Sequence, residues 1–169
     1  MKNLLFILTL FIATTSFAQT KEETIEWWDT NGKDFLKTID CKFSCCRTVF
    51  YSTEIKNDTL CVIENVRDSK GKYDYYWCVK WSNILYQDVN SVSISQETSC
   101  PNIKYFNLKI QELIRYDIEN GEKSEVKILD KKDMRVYYNA DNEENAKRAL
   151  KAIMHLAKLN GAKENKQTF

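Results

Sequence analysis

Proline, glycine and histidine are scarce in this sequence, which has one proline, four glycines and one histidine in 169 residues. So few chain breakers exclude a long linker and a low-complexity region. The formal net charge is only +1, so the sequence lacks the basic surface of a nucleic-acid-binding protein. It also lacks the polybasic cluster that would hold a protein on an anionic membrane. We therefore predict a folded domain with neither kind of partner.

Long apolar runs are missing except at the amino terminus, where an apolar segment from Leu4 to Ala13 follows the positive charge of Lys2. Ser16 and Ala18 supply the small residues that a signal peptidase reads. A membrane-spanning helix needs roughly 20 apolar residues, so this segment is too short to be a stable anchor. The pattern predicts a signal peptide at residues 1–18 and an exported protein, either periplasmic or secreted.

A helical segment is predicted directly after the signal peptide, at residues 19–40. Thr20 and Glu23 have the spacing of a capping box, in which each side chain binds the other residue's backbone N–H. Apolar residues then recur at near-helical spacing, with an interruption at Asn31-Gly32. The pattern predicts one helix or two short helices over residues 21–38.

The middle of the sequence alternates between apolar and polar residues with the period of two that is typical of β-strands. A three-stranded meander is predicted, followed by further strands and a hairpin turn at Asn120-Gly121. Within the meander, alternation places one set of side chains on the core face and Cys61, Cys78 and Tyr76 on the other. The predicted strands are residues 47–55, 59–67, 72–81, 88–95, 103–108, 110–118, 125–129 and 134–138. The predicted core-facing residues are Leu60, Val62, Val66, Tyr73, Tyr75, Trp77 and Val79.

An amphipathic helix is predicted near the end of the chain, with Asn160-Gly161 as its stop. His155 lies off the apolar stripe, which predicts a helix-surface residue and not a general base with a partner in reach. The stripe consists of Ala146, Ala149, Leu150, Ile153, Leu156 and Ala157.

The segment from Asn145 to Lys163, NAKRALKAIMHLAKLNGAK, resembles the terminal helix of small exported bacterial proteins with a pleckstrin-homology-like (PH-like) domain. The order of strands before it agrees with that fold. The resemblance implies an α+β domain at residues 41–163, a barrel of about seven antiparallel strands capped by the C-terminal helix, with a frayed tail at residues 164–169. It implies a fold and no activity. Phosphoinositide binding is not predicted, because the first hairpin loop, residues 55–59, has one lysine opposed by one aspartate.

The cysteines of an exported chain predict disulfides. Their spacing does not match a paired zinc-binding pattern, so we predict neither a metal site nor another cofactor. If Asp68 and Gly71 close the second hairpin of the meander, Cys61 lies directly opposite Cys78, and the sequence predicts a bond between them. Cys100 would then pair with one of the three earlier cysteines, Cys41, Cys45 and Cys46.

Aromatic residues are the candidates for a binding surface, with Tyr76 on the outer sheet face and Trp27 or Trp28 on the first helix. The sequence holds no recognisable catalytic motif. We therefore expect a non-enzymatic binding module whose partner is an envelope or secreted protein, for example a toxin that it neutralises. Two alternatives stay open: a glycan-binding domain that uses exposed aromatics, and a small hydrolase whose site the sequence does not reveal.

Overall fold

The computed structural model describes residues 20–44, 47–119, 122–124, 127–129 and 132–165. The predicted signal peptide at residues 1–18, the predicted turn Asn120-Gly121, and Cys45 and Cys46 lie outside these ranges. The described chain is α+β, as predicted, with mostly antiparallel sheets and a helical segment near each end.

The N-terminal helical segment begins with the predicted capping box. The backbone N–H of Glu23 donates to the Thr20 hydroxyl at 3.1 Å, and the N–H of Thr20 donates to the Glu23 carboxylate at 2.8 Å. The α-helix Lys21–Trp27 continues as a π-helical turn, Trp28–Gly32, and ends in a short α-helical turn, Lys33–Phe35. The segment is therefore continuous.

Of the two predicted alternatives, one helix or two short helices, the structure has the continuous one, because helical backbone passes through Asn31 and Gly32, where the apolar spacing is interrupted. Gly32 allows close packing at this point. A Cβ atom at this position would lie 2.8 Å from the Trp28 ring and 2.9 Å from the Trp27 ring. Both indoles therefore approach a backbone that carries no side chain.

Twelve strands occur in the described residues, and the predicted number of about seven is too low. The additional strands are only two to four residues long, too short to display a period of two. In chain order the strands are β1 (Cys41–Ser44), β2 (Arg47–Lys56), β3 (Thr59–Asp68), β4 (Gly71–Lys80), β5 (Leu85–Tyr86), β6 (Ile94–Gln96), β7 (Ile103–Lys109), β8 (Leu113–Glu119), β9 (Glu122–Lys123), β10 (Lys127–Leu129), β11 (Asp133–Asn139) and β12 (Lys163–Glu164).

Two antiparallel sheets share one bent hairpin. The larger sheet has the order β1-β2-β3-β4-β8-β10, with β9 also paired to β8, and the smaller sheet has the order β11-β7-β6. β7 and β8 form the outgoing arm of the hairpin, and β10 and β11 return along it. At the bend, Ile110 N–H donates to the Lys132 carbonyl at 3.0 Å. The described strands do not close into a barrel.

The core lies on the predicted face of the meander. Leu60, Val62, Val66 and Val79 are buried, and the aromatic residues of β4 on the same face are half-buried and pack against the core. The C-terminal helix, Glu143–Leu159, adds its predicted apolar stripe, every member of which is buried.

Two predictions differ from the structure, the strand at residues 88–95 and the frayed tail that begins at residue 164. The strand expected at 88–95 begins instead as a 3₁₀ turn, because the Asp88 side chain accepts from the Asn90 N–H at 2.7 Å and caps it. The helix stops after Leu159 as predicted, and Gly161 has a φ of +81°. Glu164, expected in a frayed tail, pairs with Tyr86 in a parallel β-bridge between β12 and β5. Residues 166–169 lie outside the described ranges.

Candidate binding sites

Two disulfides occur in the described part of the chain, and they join four cysteines. Asp68 is paired with Gly71 and Cys61 with Cys78, which is the predicted register, and a disulfide joins the two cysteines. A second disulfide joins Cys41 to Cys100, whose Cα atoms are 6.0 Å apart. Disulfides persist in oxidising compartments, so both bonds indicate an exported environment.

The three aromatic candidates have different surroundings. Trp28 is only 1% exposed, so it is the tryptophan of the pair that faces the core, and Trp27 is the one left as a candidate for a binding surface. Trp27 is half-buried and packs against Phe35, with ring centres 6.2 Å apart. Tyr76 is half-buried on the outer face of the larger sheet, where its ring stacks on Tyr116 at 4.7 Å. Tyr76 lies in a larger apolar surface on this face.

We call this surface the outer aromatic patch. It lies on the face of the larger sheet opposite the core, over the buried Cys61–Cys78 disulfide, which is not part of the main core. Ile128 at its edge is 68% exposed. The patch is formed by Phe50, Ile63, Tyr76, Ile114, Tyr116, Ile118 and Ile128.

Basic side chains surround the outer aromatic patch. Lys56 lies 5.7 Å from the centre of the Tyr76 ring, and Arg67 lies 5.3 Å from that of Phe50. The described basic residues on this face outnumber the acidic ones. The basic residues are Lys42, Lys56, Arg67, Lys72 and Lys80, and the acidic residues are Glu54 and Asp74.

A cleft of about 530 Å³ lies on the inner side, between the larger sheet and the face of the smaller sheet that carries Arg135 and Tyr137. Its size is within the range of small-molecule sites, about 300–1,000 Å³. Residues from both sheets and from the bend between them line it. Those with polar or aromatic groups are Tyr51, Glu64, Trp77, Asn107, Lys132, Asp133, Arg135 and Tyr137.

Glu64 is the acidic group of the larger sheet in this cleft. It accepts a hydrogen bond from the Trp77 side chain. Burial raises the pKa of the Glu64 carboxyl, and the Trp77 hydrogen bond and the charges of Arg47 and Arg115 offset only part of this increase. Glu64 therefore pays a desolvation cost that an ordinary surface carboxylate avoids.

Two stacked tyrosines form another wall of the cleft. The rings of Tyr51 and Tyr137 are 3.7 Å apart between centres, and their hydroxyl groups are hydrogen-bonded to each other. Arg135 donates to the Tyr137 hydroxyl, and its guanidinium also lies over the Tyr105 ring at 4.7 Å. Burial raises the pKa of both stacked tyrosines, so both hydroxyls stay protonated at neutral pH.

Arg115 fixes the aromatic floor beside the cleft. Its guanidinium donates two hydrogen bonds to Asp117, at 2.8 and 3.0 Å. It also lies 4.7 Å from the Trp77 ring centre and 5.0 Å from that of Tyr75. A bidentate pair of this kind holds the planar groups in a defined orientation.

A second cavity, of about 720 Å³, lies between the C-terminal helix and the turn after β5. His155, predicted as a surface residue, is half-buried and lines it. Lys158 lies 5.5 Å from the centre of the Tyr86 ring. Trp27 also lines this cavity, together with the exposed Arg148.

Sequence reasoning missed the cleft, although one signal was present. Glu64 occupies the core-facing register of β3, between Val62 and Val66. A carboxylate in that register indicates either an internal partner or a site, because an unpaired buried charge is costly. The remaining walls come from distant parts of the chain and carry no local signal.

No group of His, Cys, Asp and Glu side chains in the described part of the chain is arranged to hold a metal ion. Within the same ranges, no helix has the length and apolar character needed to cross a membrane. No family model, curated protein or solved structure matches the chain.

Proposed function

We propose that this chain is an exported, non-enzymatic binding module whose partner is another envelope or secreted protein. The outer aromatic patch is the observation that carries the proposal. Stacked, partly exposed tyrosines such as Tyr76 and Tyr116 supply contact area at low entropic cost and are enriched among the residues that dominate binding energy. The extended sheet face presents them on a rigid scaffold.

The charge of the patch defines the chemistry of the partner. Basic residues such as Arg67, Lys72 and Lys80 lie at the rim of the apolar centre. A complementary surface therefore has an apolar centre and an acidic rim. If the partner is a toxin, the chain acts as its immunity protein.

Export is part of this proposal. The pattern of residues 1–18 and the oxidised cysteine pairs both support it. Mass spectrometry of the protein recovered from the cell envelope or the medium provides the test. The expected N-terminal residue is Gln19, and a chain that retains Met1 would contradict cleavage.

We also propose that the fold is a divergent PH-like arrangement. Two antiparallel sheets and a C-terminal helix that closes the core support this reading. The arrangement is called divergent because the two sheets do not follow each other along the chain: the bent hairpin contributes strands to both of them. An experimentally solved structure that superimposes on PH domains in strand order would support the assignment, and a different strand order would overturn it.

A pull-down with matched variants tests the proposed interaction. The oxidised protein is immobilised and exposed to envelope extract, beside Tyr76→Ala and Tyr86→Ala. Tyr86 lies in β5 beside the second cavity and away from the patch. We expect the wild type and Tyr86→Ala to retain the same acidic protein, with retention weakened by salt, and Tyr76→Ala to lose it. Equal retention by all three proteins would place the interaction elsewhere.

A further inference from the structure

The cleft between the two sheets is independent of the outer aromatic patch, because the two lie on opposite faces of the larger sheet. Its lining charges balance: Glu64 and Asp133 are acidic, and Lys132 and Arg135 are basic. Asp133 is also paired with Lys109 at 2.7 Å. A balanced lining gives no net attraction to either anions or cations.

The polar groups of the cleft suit hydroxyl groups. An ionised carboxylate has about four acceptor positions, and the hydrogen bond from Trp77 uses one of those of Glu64. The Asn107 side-chain nitrogen donates to Ser95 Oγ at 3.3 Å and to the Ser93 carbonyl at 3.5 Å, and its amide oxygen can act only as an acceptor. Arg135 adds a planar donor. A cavity lined by both acceptors and donors suits hydroxyl groups, because each hydroxyl can donate and accept hydrogen bonds.

The aromatic groups suit the apolar face of such a ligand. Trp77 is half-buried, and Arg115 and Asp117 hold its ring in place. The face of an aromatic ring carries partial negative charge, so it attracts the slightly positive C–H groups of a pyranose ring. The stacked tyrosines are fixed by their own hydrogen bonds, and this preorganisation lowers the entropic cost of binding.

We infer that this cleft binds a neutral, polyhydroxylated ligand, namely a saccharide unit of a glycan. Glu64 and Asn107 hydrogen-bond its hydroxyls, and Trp77 packs against its ring. The site lies inside the fold and differs from the exposed aromatics that sequence reasoning associates with sugar binding. It does not depend on the protein partner of the outer aromatic patch.

A glycan array followed by calorimetry tests the inference. Oxidised full-length protein is screened against immobilised neutral oligosaccharides, and the strongest hit is titrated against the wild type, Glu64→Gln and Glu54→Gln. Glu54 lies on the adjacent strand with its side chain on the outer face, paired with Lys56 at 2.8 Å. Because hydrogen bonds to a charged group are stronger than those to an amide, we expect roughly tenfold weaker binding by Glu64→Gln and none of this loss in Glu54→Gln.

Three further measurements make the result decisive. Binding of a neutral saccharide should be insensitive to salt and should quench the tryptophan fluorescence, since Trp77 lines the cleft. Asn107→Ala, which alters a different wall, should weaken the same titration. An array without hits, or a hit whose affinity is equal in Glu64→Gln and the wild type, would overturn the inference. So would preferential binding of inorganic phosphate or spermidine, abolished by salt.

Discussion

Glu64 and Trp77 lie diagonally across β3 and β4, and the tryptophan side chain donates a hydrogen bond to the glutamate carboxylate. Leu60, Val62 and Val66 share this strand face and are buried. The carboxylate is thus set into an apolar row, where the hydrogen bond compensates only part of its lost hydration. A change at Glu64 should therefore affect both the stability of the larger sheet and ligand binding in the cleft.

Replacement of Glu64 by glutamine should stabilise the protein near neutral pH. The pKa of Glu64 is raised in the folded state, so the folded protein binds more protons than the unfolded chain between the ordinary and the raised pKa. Stability contributed by the protonated carboxyl is therefore lost as the pH rises through this interval. Glutamine keeps an acceptor for Trp77 without the charge.

Urea unfolding, followed by fluorescence at several pH values, measures this effect. We expect the advantage of Glu64→Gln at pH 7 to disappear below about pH 4, the ordinary range of a glutamate pKa. The control Glu54→Gln should retain the pH dependence of the wild type. A constant difference between Glu64→Gln and the wild type at every pH would show that the charge is not responsible.

The two disulfides should stabilise the fold to different extents. The Cys61–Cys78 bond closes a short loop, with a sequence separation of 17, and the Cys41–Cys100 bond a longer one, with a separation of 59. By loop-closure entropy, removal of the first pair by double alanine substitution should cost about 3 kcal/mol and removal of the second about 4 kcal/mol. Urea unfolding of both double variants measures these costs. A larger loss for the short loop would contradict the entropic account.

Local patterns were enough to predict the meander. The turn Asp68–Gly71 and the period of two fix the register, and the register in turn places Cys61 opposite Cys78. Each of these features lies within about twenty residues of chain, where turn chemistry and alternation decide the structure. The apolar stripe of the C-terminal helix was predictable for the same reason.

The cleft depends on contacts that no local pattern contains. Tyr51 and Tyr137 meet only because the bent hairpin brings the smaller sheet against the larger one. By contrast, helical spacing alone separates Trp28 from Trp27, because Trp28 lies one turn after the buried Thr24 and therefore on the same face of the helix.

Trp28→Ala and Trp27→Ala should differ strongly in stability. Trp28 is 1% exposed and belongs to the core, whereas Trp27 is half-buried beside the second cavity. Truncation of a buried tryptophan costs about 3–5 kcal/mol, so Trp28→Ala should unfold at a much lower urea concentration, and Trp27→Ala should lose less. Circular dichroism during urea titration avoids dependence on the altered tryptophan. Equal losses would contradict the burial of Trp28.

The adjacent tyrosines Tyr137 and Tyr138 in β11 differ in the hydrogen bonding of their hydroxyl groups. The Tyr138 hydroxyl is buried and has no hydrogen-bond partner among the described residues, whereas the Tyr137 hydroxyl is hydrogen-bonded to Arg135 and Tyr51. A buried polar group without a partner retains its desolvation cost. Tyr138→Phe should therefore raise the free energy of unfolding by about 1 kcal/mol, and Tyr137→Phe should lower it by about 1–2 kcal/mol, because it also leaves the Tyr51 hydroxyl unpaired. Thermal unfolding distinguishes the two, since 1 kcal/mol corresponds to about 2–4 °C in Tm for a chain of this size. A lower Tm for Tyr138→Phe would show that its hydroxyl has a partner in solution.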